Sequence, residues 1–148
     1  MAIHYPHILL VEDDDVDAEA VTRALKRQNL PNKLIHANDG IEALNTLRGY
    51  EGNEPLKQPY LILLDLNMPR MNGIEFLRTI RQDAELKRSV VFVLTTSNQQ
   101  EDKMAAYNQQ VAGYIVKANL THDFSDITKL IEQYQSIIDL PVETALRR

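Results

Sequence analysis

ILLVEDDD, Ile8 to Asp15, sets four apolar residues directly against four acids. The apolar half does not alternate with polar residues. Strands buried on both faces read that way, and they are characteristic of parallel sheets. The acidic half raises the question of why charge collects where a buried segment ends. Working outward, five apolar runs stand out: His7–Val11, Lys33–Ala37, Tyr60–Leu64, Val90–Leu94 and Gly113–Val116. Between them lie segments with helical spacing. Val16, Ala20, Val21, Ala24 and Leu25 form one set; Ile41, Leu44 and Leu47 a second; Ile74, Leu77 and Ile80 a third. Met104, Ala105 and Tyr107 belong to a more polar fourth. The spacing predicts a last helix from His122 to Asp139, with Phe124, Ile127, Ile131, Tyr134 and Ile138 on one face. Strand followed by helix, five times over, implies an open parallel α/β sheet with right-handed crossovers. The polar stretch GYEGNEPLKQ, Gly49 to Gln58, reads as a surface insertion before the third strand.

The 148 residues are enough for one domain with a sizeable core. The expectation is a single domain over 1–148, its core near 6–139 and a short tail at 140–148. The net charge of -5 argues against non-specific binding to nucleic acid or to an anionic membrane surface. The chain has no Cys, which excludes disulfides, thiolate metal sites and thiol catalysis. The start, Met1 to Pro6, lacks the pattern of a signal peptide. No apolar run approaches the ~20 residues needed to span a bilayer. A cytoplasmic protein is expected.

The polar residues at the strand ends carry the functional reading. The first strand ends in Glu12-Asp13, the third in Asp65, the fourth in Thr95-Thr96-Ser97 and the fifth in Lys117. In an open α/β sheet, ligands bind outside the carboxyl ends of the strands, so these distant stretches should converge on one edge. Three carboxylates meeting there would repel. Two unit charges 4 Å apart cost about 4 kcal/mol at an effective dielectric of 20. A proton, Lys117 or a cation must offset that repulsion. Oxygen ligands without Cys suit Mg²⁺ or Mn²⁺ rather than zinc. Mg²⁺ is held by one or two carboxylates together with phosphate oxygens. Asp65 can then serve as a carboxylate nucleophile that forms an aspartyl phosphate. Thr95 can donate its hydroxyl to a phosphoryl oxygen, and Lys117 can act as a point cation.

The chain resembles two-component response-regulator receiver domains. Glu12-Asp13, LLDLNMPRMNG (Leu63 to Gly73), VLTTS (Val93 to Ser97) and GYIVK (Gly113 to Lys117) match in order and spacing, and the match runs from about Pro6 to Asp139. The ILLVED start, the VLTTS run and the long loop before the third strand are similar to stand-alone regulators that partner phytochromes. The resemblance implies a flavodoxin-like fold of five β-α units with strand order 2-1-3-4-5. It implies that Asp65 accepts a phosphoryl group from a sensor histidine kinase, and the finer similarity implies a phytochrome as that kinase. It implies that Asp13, Asp65 and the backbone carbonyl of Asn67 hold Mg²⁺, with Glu12 acting through water. Thr95 and Tyr114 are then the switch pair. The face made by the fourth helix, fifth strand and fifth helix changes its protein contacts, and Leu130 and Ile137 are candidates for a dimer seam there. Such a protein turns over no external metabolite, contacts no DNA or membrane, and passes its signal through protein partners.

One departure from the family stands out. Ala118 follows Lys117, where the family usually has Pro, often after a cis bond. A non-proline cis bond costs about 2.5–4 kcal/mol, so a trans bond with a remodelled loop competes with tolerated strain. Other residues have local readings. Asp14 or Asp15 can cap the first helix, and Asp17 suits the positive end of its dipole. Ser97-x-x-Gln100 fits a capping box. His4, His7, His36 and His122 form no metal spacing. Two other functions share the chemistry: a Mg²⁺-dependent phosphatase of the haloacid-dehalogenase type, and an adaptor that works without phosphorylation. The phosphatase class expects Asp-x-Asp after its first strand, whereas here the candidate nucleophile follows the third.

Overall fold

The computed structural model describes residues 5–142 and alternates strand with helix along the chain. In order come β1 (His7–Val11), α1 (Asp15–Arg27), β2 (Leu34–Ala37), α2 (Gly40–Arg48), β3 (Tyr60–Leu64), α3 (Gly73–Gln82), β4 (Val90–Thr95), α4 (Gln100–Asn108), β5 (Gly113–Val116), a 3-10 helix (Lys117–Asn119) and α5 (Ser125–Ile137). The strands form one parallel sheet in the order β2-β1-β3-β4-β5, the expected one. His4 and residues 143–148 of the tail lie outside the described residues.

The unbroken apolar runs follow from burial on both faces. Leu9, Val11, Ile62, Leu64, Val91 and Val93 point to one side and pack with Leu44, Phe76, Leu77, Ile80 and Ala106 from α2, α3 and α4. Their neighbours Ile8, Leu10, Leu61, Leu63, Phe92 and Leu94 point to the other side. There they meet Val21, Ala24 and Leu25 of α1 and Ile127 and Ile131 of α5. The period of two along a strand thus feeds two cores at once.

Local chemistry starts three of the helices. Asp14 caps α1, its carboxylate accepting from the amides of Val16 (2.9 Å) and Asp17 (3.3 Å). Asp39 caps α2. Asn72 and Glu75 form a reciprocal capping box at α3. The insertion between α2 and β3 folds back on the helix, with the Leu56 amide donating to the Thr46 carbonyl at 3.1 Å. Its first residue, Gly49, has φ 77°, and a Cβ there would lie 2.6 Å from the Asn53 carbonyl oxygen. Only glycine suits both constraints.

Some boundaries differ from expectation. β2 starts one residue later, at Leu34, and β4 runs one further, to Thr95. α5 starts at Ser125 rather than His122. The preceding turn is stabilised locally by Asp123, which accepts from the Ser125 amide (3.1 Å) and the Thr121 hydroxyl (2.9 Å). Phe124 then takes φ 59° and buries its ring against the α1 and α5 core. Of the pair proposed for a dimer seam, Leu130 packs onto that core and Ile137 is exposed.

Phe76 is fully buried where α3 meets β3 and β4. Phe76→Ala should lower unfolding stability by about 3–5 kcal/mol. Val16→Ala, at an exposed position of α1, should stay within about 0.5 kcal/mol. Urea denaturation of the two variants checks the contrast.

Candidate functional site

Parallel strands bring their carboxyl ends to the same edge, and the polar residues follow. Glu12 is anchored by its amide on the Ala37 carbonyl (3.0 Å), and Asp65 by its amide on the Val11 carbonyl (2.9 Å). These ladder extensions fix both residues just past β1 and β3. Glu12, Asp13 and Asp65 each offer a carboxylate oxygen, and the three oxygens lie within 4.8 Å of one another. Glu12 and Asp65 are buried and Asp13 is exposed. Among the described residues this is the one group of three or more acids, histidines or cysteines so placed.

The loop after Asp65 is held tightly. The Asn67 amide approaches the Asp65 carboxylate at 3.4 Å. The Gly73 amide donates to the Leu66 carbonyl at 2.9 Å, which brings the start of α3 onto the Asp65 backbone. A Cβ at Gly73 would lie 2.5 Å from the Asp65 carbonyl oxygen and 2.7 Å from the Leu66 Cα. Across the loop, Arg70 donates to Asp39 at 2.6 Å, and the Gly40 amide donates to the Met71 carbonyl. Burial opposes the Asp39 charge, but amide donors and Arg70 outweigh it and hold its pKa below the ordinary value. Beside the acids, an open cavity of about 430 Å³ is lined by Asp13, Asn67, Met68, Pro69 and Asp102 among others.

Lys117 reaches this edge from β5. Its amine donates to Glu12 at 2.7 Å and to Asp17 at 2.6 Å. The Lys117–Ala118 bond is trans, since among the described residues the only cis peptide is Gln58–Pro59. The chain leaves the strand through the short 3-10 helix instead. Burial acts against the Lys117 charge, but hydrogen bonds to Asp17 and Glu12 outweigh it and raise its pKa. Glu12 is pushed up to about 7, chiefly by burial, with Lys117 opposing and the Asp65 charge adding to the rise.

Thr95 is fully buried at the end of β4, and its hydroxyl accepts from the Ser97 amide at 3.3 Å. Tyr114 donates from its hydroxyl to the Ser97 carbonyl at 3.0 Å, which joins β5 to the loop after β4. The expected Ser97 capping box does not form. α4 begins at Gln100 with no side-chain cap, because Ser97 stops two residues short of the N-cap and spends its hydroxyl on Asp102.

The sequence reading therefore placed Glu12, Asp13, Asp65, Thr95 and Lys117 along one edge. It missed three residues. Asp17 was assigned to the dipole of α1, yet it bonds Lys117. Nothing local marked that contact, since its partner lies 100 residues away. His36 lies 2.6 Å from the Glu12 carbonyl through Nε2, a contact that makes this nitrogen the donor. Asp102 borders the cavity, and nothing local marked it.

Comparison with known proteins agrees with this geometry. The model of the response regulator receiver domain family matches residues 8–132. The chain belongs to that family. It is 38% identical over 129 residues to the response regulator Rcp1 of Synechocystis sp., covering 87% of this chain and 86% of that protein. It is 35% identical over 127 residues to the probable methanogenesis regulatory protein FilR2 of Methanothrix harundinacea, covering 86% and 81%. Among solved structures, the phosphorylated cyanobacterial phytochrome response regulator RcpA superposes with a TM-score of 0.83 at 35% identity, covering 94% of this chain and all of that one. The Mn(2+)-bound form of Rcp1 gives 0.81 at 37% identity, covering 93% and 99%. Membership places the chain in two-component signalling. No helix among the described residues is long and apolar enough to cross a membrane.

The raised Glu12 pKa has a measurable consequence. An unfolded glutamate releases its proton near 4.5, while the folded one keeps it to about 7. Between these values the native state binds more protons, so its stability falls as pH rises. The contribution is complete below about pH 4.5 and gone above about pH 7. Urea midpoints across that range, in chelator-treated buffer, should fall more steeply for the native protein than for Glu12→Gln.

Proposed function

We propose that Asp65 accepts a phosphoryl group from a phosphohistidine on a sensor histidine kinase. One observation carries this reading: Asp65 stands at the end of β3 with two further carboxylates within 4.8 Å and Lys117 bonded to one of them. A carboxylate oxygen of Asp65 attacks phosphorus, the phosphorus–nitrogen bond to the imidazole breaks, and the leaving ring takes up a proton. Hydrolysis of the acyl phosphate later returns the carboxylate. Both steps rest on positioning and electrostatics, and the protein turns over no external substrate.

The donor set fits a hard divalent cation, because it offers carboxylate oxygens and neither thiolate nor imidazole. Asp13 and Asp65 are its direct ligands in this proposal, with the Asn67 backbone carbonyl, and Glu12 contributes through water. Mg²⁺ is the assigned ion, and the Mn(2+)-bound form of the similar Rcp1 supports a divalent site. When bound, the ion neutralises the carboxylates and the phosphoryl oxygens. The chain's own residues do the rest. Lys117 supplies a cation, the Thr95 hydroxyl donates to a phosphoryl oxygen, and the buried floor of β1 and β3 excludes water from beneath Asp65.

Phosphorylation then alters the face of α4, β5 and α5 through Thr95 and Tyr114. Similarity to RcpA, described as a phytochrome response regulator, favours a phytochrome as the kinase.

Incubation of the intact protein with acetyl phosphate and Mg²⁺ should add one labile phosphoryl group by mass, and Asp65→Asn should add none. Equal labelling of Asp65→Asn, or no labelling of the native chain, contradicts the proposal. In a kinase panel, a phytochrome kinase should transfer fastest.

A further inference from the structure

The proposed chemistry leaves the contact between Asp17 and Lys117 without a task. Asp17 sits in the first turn of α1, where an acid suits the helix dipole. Yet its carboxylate lies 2.6 Å from the Lys117 amine, as close as the 2.7 Å contact to Glu12. The partners are 100 residues apart in sequence. The Lys117 side chain is only 9% exposed, so water does little to weaken the hold.

The strand order gives the contact a direction. Lys117 follows β5, Asp65 follows β3, and Glu12 follows β1. Both contacts of the lysine, Glu12 after β1 and Asp17 in α1, lie beyond β4 and β3 in the strand order, so its amine is held against the start of α1. An ammonium has three donors, and two are engaged there. A phosphoryl group on Asp65 would have to compete for this cation with two carboxylates. Glu12 belongs to the site itself. Asp17 is the partner outside it.

The geometry points to Asp17 as a positioning residue that holds Lys117 against the start of α1 and so weakens the site's grip on a phosphoryl group. The inference rests on the phosphoacceptor reading of Asp65. Removing the Asp17 charge frees the lysine and favours the phosphoryl-bound form.

The test is the affinity of the intact protein for beryllofluoride, a phosphoryl analogue, in excess Mg²⁺. Asp17→Asn should bind about tenfold more tightly, which corresponds to about 1.4 kcal/mol. Asp17→Glu restores a carboxylate and should return toward the native value. Asp15→Asn removes a charge from the same turn of α1 and should leave the affinity unchanged. In a Lys117→Gln background, Asp17→Asn should no longer change the affinity, because the effect runs through the lysine. Native-like binding by Asp17→Asn, an equal gain in Asp15→Asn, or a gain that survives Lys117→Gln overturns the inference. A native protein that binds no beryllofluoride contradicts the phosphoacceptor reading first, and the inference falls with it.

Discussion

Three carboxylates share a space less than 5 Å across, and their mutual repulsion constrains everything near them. At an effective dielectric of 20, each close pair of charges costs about 4 kcal/mol. A domain of ordinary stability, roughly 5–15 kcal/mol, cannot leave several such pairs uncompensated. Two responses are visible. Burial drives Glu12 toward its protonated form near neutrality, and Lys117 brings a cation from the far side of the sheet. Both are reversible, which suits the proposed role of a site that accepts and releases a phosphoryl group. A permanently paired core would be more stable and unable to respond.

The scaffold keeps the acids together against that repulsion. Glu12 and Asp65 leave the sheet only after one more ladder hydrogen bond, so their backbones share the rigidity of β1 and β3. Below them the strands are packed on both faces. Beyond them, the loop to α3 is clamped from two sides. Gly73 lets α3 start against the Asp65 backbone, where any side chain would collide. Arg70 and Asp39 tie the same loop to the start of α2. Asp39 both caps a helix and anchors a loop, so one buried acid fixes two segments.

Where the signal was local and periodic, the sequence was sufficient. Apolar runs buried on both faces gave the parallel sheet, and Asp14 was one of two acids that could cap α1, as it does; the capping box of Asn72 and Glu75 went unread. Convergence of Glu12, Asp13, Asp65, Thr95 and Lys117 followed from parallel topology alone. What escaped was either long-range or a contest between local partners. The Asp17 contact joins residues 100 apart, and only the folded sheet makes them neighbours. Ser97 had the right spacing for a capping box, but its hydroxyl found Asp102 instead. Phe124 and Asp123 delay α5 because a buried ring in a turn competes with another residue of helix.

Ser97 is placed to carry the proposed change at Asp65 to the distant face. Its amide donates to Thr95, its carbonyl accepts from Tyr114, and its hydroxyl meets Asp102 on α4. One residue therefore links the end of β4, the side chain of β5 and the first turn of α4. In the proposed switch, a shift of Thr95 toward a phosphoryl oxygen would disturb all three contacts together. α4 is the helix least able to resist. It has no side-chain cap, and Ala106 is its only fully buried residue. Elements with few buried contacts open and move at the lowest free-energy cost. A two-state switch needs its alternatives within a few kcal/mol of each other. A weakly anchored α4 on a firmly packed sheet suits that requirement of the proposed switch without loosening the acid site.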